Sequence, residues 1–258
     1  MSDLKWKTAI TKIKPNEVRL RGYRIDELMG RVSFGQSVYL ALKGELPGEN
    51  VGKIIDAILV SSIDHGASPP SALAAMTVAS AGSPLNAAVA SGILAISKFH
   101  GGAIEDSMGA LRQVADRVNA HEMTVAEAAA ALVDEYKQIG RRISGFGHRL
   151  HTEDPRSKRL FELARDWEIG TRFIEIALSL ESELEKQSGR RLPINVDGAI
   201  AAVLCELDFS PELANAFFMI ARLPGLVAHV HEEHQRQKPM RAIDPKDHEY
   251  DGPDDRTL

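Results

Sequence analysis

Cysteine is almost missing from this 258-residue chain. The single Cys205 excludes an intrachain disulfide framework and any multi-cysteine metal site. It lies in the apolar run 200–207, where it reads as a buried, inert thiol. An excess of positive charge is missing too: 31 Lys and Arg stand against 36 Asp and Glu, for a net charge of -5. That balance argues against sequence-independent nucleic-acid binding, which needs clustered basic side chains. No stretch is expected to approach the ~20 apolar residues that span a bilayer. Residues 1–8 are polar and hold no apolar core of a signal peptide, so a cytoplasmic protein without a membrane partner is expected. Strand signals are scarce, with one short extended segment expected around residues 9–20. What remains, 44% hydrophobic and 26% charged residues, is the composition of a globular chain. Its length suits one large or two modest domains.

The periodicity elsewhere is helical and alanine-rich, which predicts an all-α fold. Ser33 precedes an apolar stripe of Phe34, Val38, Tyr39 and Leu42 that stops at Gly44 and Pro47, a capped helix with a proper end. Further helices are expected over 51–62, 71–81, 85–97 and 101–117. The pair 71–81 and 85–97 is built of Ala, Gly and Ser, so its backbones can pack closely at the centre of a domain or of a subunit interface. Thr124 and Glu127 form a capping box. Pro155 opens the next helix, and Gly189 stops a long one over 172–187. Helices over 197–207, 210–223 and 225–237 follow, with Ser210-Pro211 as a strong start. The tail from Lys238 is polar and reads as an extended arm.

Three stretches place an ionisable side chain beside glycine: His100 before Gly101-Gly102, His148 after Gly145-Phe146-Gly147, and Asp197 before Gly198. Two imidazoles and a carboxylate suffice to move a proton at carbon next to a carbonyl, the carboxylate handling the proton and the imidazoles holding charge on oxygen. Glycine lets the backbone approach a ligand closely. Taken singly, each has a plainer account: a helix-capping His100, a surface His148 in a loop, an N-capping Asp197. Backbone N–H groups around Ser144, Gly145, Phe146 and Gly147 suit an anion or a thioester-linked coenzyme. His65 reads as a hydrogen-bond donor to substrate. Arg222 sits in an otherwise apolar helix, where an unpaired guanidinium is costly, so it must meet a carboxylate of the protein or of a ligand. His229, His231 and His234 with Glu232 and Glu233 imitate a zinc cluster. The His-Glu-x-x-His spacing fails at Gln235 and its reverse at Val230, so no metal site is expected.

The residues 20–28 (Leu-Arg-Gly-Tyr-Arg-Ile-Asp-Glu-Leu), Ser33-Phe34, Gly44-Glu45-Leu46-Pro47, Gly145-Phe146-Gly147-His148-Arg149 with Asp154-Pro155-Arg156, Asn195-Val196-Asp197 and Tyr250-Asp251-Gly252-Pro253 resemble the citrate synthase superfamily from end to end. The resemblance implies a helical fold with a large domain (1–102 and 208–258) and a smaller mobile one (103–207), working as a dimer. It implies Asp197 as acid/base at the acetyl carbon, His100 at the thioester enol oxygen and His148 at the carbonyl or hydroxyl oxygen of the four-carbon partner. His65, Arg156 and Arg222 would grip carboxylates. The family's last such cation comes from the second subunit, just before a proline. Here Lys238 precedes Pro239, and Arg241 lies beyond. The loop from His148 to Arg156 is one residue shorter than in typical members, with Thr152 where a basic coenzyme A contact is often found. Only residues 48–63 separate the Gly-Glu-Leu-Pro segment from Asp64-His65, a compactness similar to stand-alone citryl-CoA lyases and the lyase module of ATP citrate lyase. The implied reaction is reversible cleavage of citryl-CoA to acetyl-CoA and oxaloacetate, with the thioester as substrate and no tightly bound cofactor. A compact citrate or 2-methylcitrate synthase, a lyase for a related hydroxyacyl thioester and an inactive CoA-binding regulator remain the alternatives.

Overall fold

The structure, a computed structural model, describes residues 6–121, 123–147, 153–241, 245–247, 249–253 and 256–257. It opens with three short antiparallel strands, β1 (Thr11–Lys14), β2 (Glu17–Leu20) and β3 (Tyr23–Arg24), in the order β1-β2-β3. The first two occupy the segment expected to be extended, and β3 lies beyond it. All else that is regular is helical: α1 (Ile25–Leu28), α2 (Phe34–Lys43), α3 (Glu49–Ser61), α4 (Pro70–Ser80), α5 (Leu85–Leu94), α6 (Ala103–His121), α7 (Val125–Gln138), α8 (Pro155–Asp166), α9 (Arg172–Ser188), α10 (Val196–Glu206) and α11 (Ala214–Arg236). Two 3₁₀ turns lie at Pro211–Leu213 and Pro245–Asp247.

Local chemistry sets the ends. Ser33 with Gln36 and Thr124 with Glu127 close reciprocal capping boxes at α2 and α7. Gly44 and Gly189 end α2 and α9 with φ of 92° and 67°, a conformation that favours glycine. The sequence pattern divided α11 at Leu223-Pro224; the structure keeps one helix with Pro224 inside. Proline removes one backbone bond there. Buried Phe217, Phe218 and Ala221 before it, and Leu226 and Val230 after it, anchor both halves. The segment Pro211–Arg236 is also long and apolar enough to cross a bilayer by length and composition, contrary to expectation. Arg222 and Pro224 break its apolar run without lowering its average enough. Just under half of its apolar window is buried within the protein, which the core helix of a soluble protein satisfies equally.

Contacts divide the chain into two compact units, Met1–Asp64 with Ile96–Arg222, and His65–Ala95 with Leu223–Leu258. These boundaries differ from the expected 102 and 207: residues 103–207 share contacts with the first 64. In the first unit α10 packs against α6, α8 and α9. It is apolar all round and buried at Val196 and from Gly198 to Cys205, as a central helix must be. In the second unit the small-residue helices α4 and α5 pack together, with Ala75, Ala79, Ala88 and Val89 against Leu226 and Val230. A Cβ on Gly92 would lie 2.9 Å from the Ser71 carbonyl, so glycine sets how closely these helices approach.

Candidate active site

Asp197 lies in the first turn of α10, yet it is not the cap. Asn195 is: its side-chain oxygen accepts from the N–H groups of Asp197 (3.0 Å) and Gly198 (3.2 Å). The plain account of Asp197 therefore fails, and among the described residues no hydrogen bond reaches its carboxylate. The Asn195 amide also donates to the Gly147 carbonyl (3.0 Å), Asn195 N–H donates to Gly145 O (3.0 Å) and Gly147 N–H to Pro193 O (2.7 Å). These bonds sew the Gly-Phe-Gly loop antiparallel to residues 193–195. The seam is tight: Gly145 has φ +89°, and a Cβ there would lie 2.6 Å from Ser107 Oγ and 2.7 Å from Gly198 Cα.

A second seam joins α8 to the same helix start. Asp154 is fully buried and caps α8. Its Oδ1 accepts from Arg156 N (3.0 Å) and Nε (3.0 Å), and its Oδ2 from Arg156 Nη2 (2.9 Å) and Val196 N (3.1 Å). Burial alone would push this carboxyl up, but the Arg156 bonds and charge, with Val196 N–H, hold it below the usual carboxylate range.

Asp197 shifts the other way. Burial raises its carboxyl pKa; Arg156 and Arg222 pull it down, and Asp154 pushes it further up. Arg222 is 3% exposed. Its Nε donates to the Ser62 carbonyl (3.0 Å) and its Nη1, also buried, has no hydrogen-bond partner among the described residues. Burial lowers its pKa against the opposing charges of Asp64 and Asp197. Its guanidinium lies 4.9 Å from the Phe218 ring centroid, and His100 meets the same ring edge-on at 5.4 Å. The His100 backbone is fixed by a turn in which Ser97 and His100 exchange N–H···O=C bonds of 2.9 Å.

Four of the expected residues, His100, Arg156, Asp197 and Arg222, are thus linked by ring contacts and charge within one unit. His148 lies outside the described residues, as does Thr152. Exposed His65 begins the second unit. Lys238 is exposed, whereas Arg241 forks buried Glu233 through Nε (3.1 Å) and Nη2, and its N–H donates to Ser80 Oγ (3.1 Å). Glu233 of the apparent zinc cluster is thereby engaged. Ser144 Oγ donates to Asp106 (3.4 Å), and Phe146 and Gly147 border a cleft of about 660 Å³. Lys137, Arg141, Arg142, Arg190 and Arg191 line that cleft, with no carboxylate among the described lining residues. The sequence reading passed over these cations. The signal was available in two Arg-Arg doublets, one just before Gly-Phe-Gly and one just before Asn-Val-Asp.

Residues 47–243 match the family described as citrate synthase, C-terminal domain. The structure titled citryl-CoA lyase from Hydrogenobacter thermophilus superposes with a TM-score of 0.89 at 44% identity, covering 98% of this chain and 97% of that one. Citrate synthase of Haloferax volcanii is 31% identical over 209 residues, 78% of this chain and 51% of that protein. ATP-citrate synthase beta chain protein 2 of Arabidopsis thaliana is 28% identical over 205 residues, 73% of this chain and 32% of that protein. The chain therefore spans about half of the first of these two relatives and about a third of the second. The family match takes in α6, α8, α10 and both seams at the start of α10, and on that footing the chain belongs to the citrate synthase family.

Proposed function

We propose that this protein is a citryl-CoA lyase, cleaving citryl-CoA to acetyl-CoA and oxaloacetate. One observation carries the reading: a carboxyl group with a raised pKa, relieved of capping by Asn195, sits on a buried helix facing two arginines. A carboxyl that keeps its proton more readily than usual suits delivery of that proton to carbon. The full-length likeness to a citryl-CoA lyase supports the choice among reactions of the family.

In the proposed reaction His148 accepts the proton of the tertiary hydroxyl as that oxygen becomes a ketone. The bond between the carbinol carbon and the acetyl carbon breaks, and its electron pair passes into the thioester enolate. His100 holds the enolate oxygen, a contribution typically worth ~2.7–4 kcal/mol of barrier. Asp197 then gives its proton to the acetyl carbon. Arg222, through its unpartnered Nη1, and Arg156 hold carboxylates of the four-carbon half. The arginine-lined cleft beside Phe146 and Gly147 suits the phosphates of coenzyme A. Ser144 and Gly145, on the same loop, would lie along the coenzyme.

A cytoplasmic homodimer is part of the proposal. Leu73, Leu85 and Leu94 on α4 and α5 are exposed, Leu94 at 82%, which supports a second copy covering that apolar pair. With Arg241 committed to Glu233, Lys238 is the cation left to reach a partner's site. Supplying citryl-CoA, and separately acetyl-CoA with oxaloacetate, tests the reaction. Cleavage of the first without thioester hydrolysis is expected; efficient release of free CoA from the second pair would instead make the protein a synthase.

A further inference from the structure

We propose that Asp154 is a positioning residue for the carbon–carbon cleavage: its carboxylate locks Arg156 to the start of α10 and offsets the Arg156 charge beside Asp197. This rests on the reading of Asp197 as the proton donor. One carboxylate accepts four bonds, three from Arg156 and one from Val196 N–H, the residue directly before Asp197. Side chains from two separate helix starts are thereby held in one rigid piece. The fork takes Nε and Nη2 of Arg156, so among the described residues Nη1 carries no hydrogen bond and is left for a ligand carboxylate. A full capping role would need only the bond to Arg156 N–H. The remaining three have no part in ending α8.

The electrostatic consequence follows from position. The charges that act on Asp197 among the described residues are Arg156 and Asp154 at the start of α8 and Arg222 on α11. The two cations favour the ionised form of Asp197, which has no proton to deliver. Asp154, hydrogen-bonded to one of them, opposes its effect and acts with burial to favour the protonated form of Asp197. Cleavage uses the protonated form, so activity falls as pH rises through the Asp197 pKa. Without the Asp154 charge that fall moves to lower pH.

Asp154→Asn keeps one oxygen, for the cap, but turns an NH2 toward Val196 N–H and loses both that bond and the charge. It is expected to fold, to lose about 10²-fold in kcat/KM for citryl-CoA through misplacement of Arg156, and to shift the alkaline limb of the pH–rate profile downward. Asp154→Ser, which caps a helix well but cannot fork a guanidinium, is expected to show the same shift. A profile unmoved in both variants, or a loss that merely tracks melting temperature, overturns the inference. A titration of the Asp197 carboxyl by carbon-13 NMR, assigned against Asp197→Asn, needs no turnover. A downward shift of that titration in Asp154→Asn is expected; an unshifted one refutes the role of Asp154. Failure of wild-type protein to cleave citryl-CoA refutes the lyase reading instead.

Discussion

Two buried charges on α11, eleven residues apart, are treated in opposite ways. Glu233 is 3% exposed, and the chain returns Arg241 to it, so the charge is fully answered within the protein. Arg222 is equally buried, yet among the described residues its Nη1 is left without a partner, and a single carbonyl takes its Nε. A buried guanidinium nitrogen with no acceptor costs free energy, which a ligand carboxylate would recover. The difference separates a charge matched by a bidentate partner from one that faces Asp64 and Asp197 with its Nη1 unpaired among the described residues. The Glu233 pair fastens the C-terminal arm, while Arg222 faces the same carboxyl group, Asp197, that the proposed chemistry needs.

The contrast is open to test, and the largest effect belongs to Arg222. Arg222→Ala should weaken oxaloacetate binding about 10–10²-fold, the worth of a charge-assisted hydrogen bond, with the fold retained; calorimetric titration reads it. Unchanged affinity would place Arg222 with the structural charges. Gly198→Ala comes next. A Cβ there runs into the Gly145 carbonyl, so the seam must open at a cost of about 1–3 kcal/mol, visible in chemical denaturation. Glu233→Gln should cost only about 1 kcal/mol, because Arg241 is part-exposed and can hydrate. Oxaloacetate affinity should not change; a loss equal to that of Arg222→Ala would erase the distinction between the two ends of α11.

The smallest effect is one of sign. Burial raises the Asp197 pKa in the folded state, so ionising it at neutral pH works against folding. Stability from this group is full below about pH 3, where folded and unfolded chains both hold the proton, and declines as pH climbs through the folded-state pKa. Asp197→Asn should therefore melt higher than wild type at pH 7–8, with the gain fading toward about pH 3. Equal melting temperatures across that range would mean that Asp197 is well solvated.

Helix limits were legible in the sequence wherever a cap, a first-turn proline or a glycine encodes them locally, as at Ser33, Thr124, Pro155, Gly44 and Gly189. Pro224 was not, because the packing that carries a helix through proline comes from residues distant in sequence. The units divide near that proline, so the sequence signal was real but marked a change of packing partner rather than a helix end. At the site, His100, Asp197 and Arg222 were legible as residues that glycine or apolar neighbours single out, and Arg156 through the Asp-Pro-Arg motif of the family resemblance. Asn195 as the cap, Asp154 as the bridge and Phe218 as the shared ring were hidden, since their roles exist only across long-range contacts. The Arg141-Arg142 and Arg190-Arg191 doublets bring their charge together only once the loop is sewn to residues 193–195.

Single turnover of citryl-CoA by Asp197→Asn beside wild type is the most direct test of the central claim. The account predicts loss of cleavage by about 10²–10⁴-fold, with citryl-CoA still bound by Arg156, Arg222 and the basic cleft. Cleavage by the variant at a rate close to wild type would contradict it.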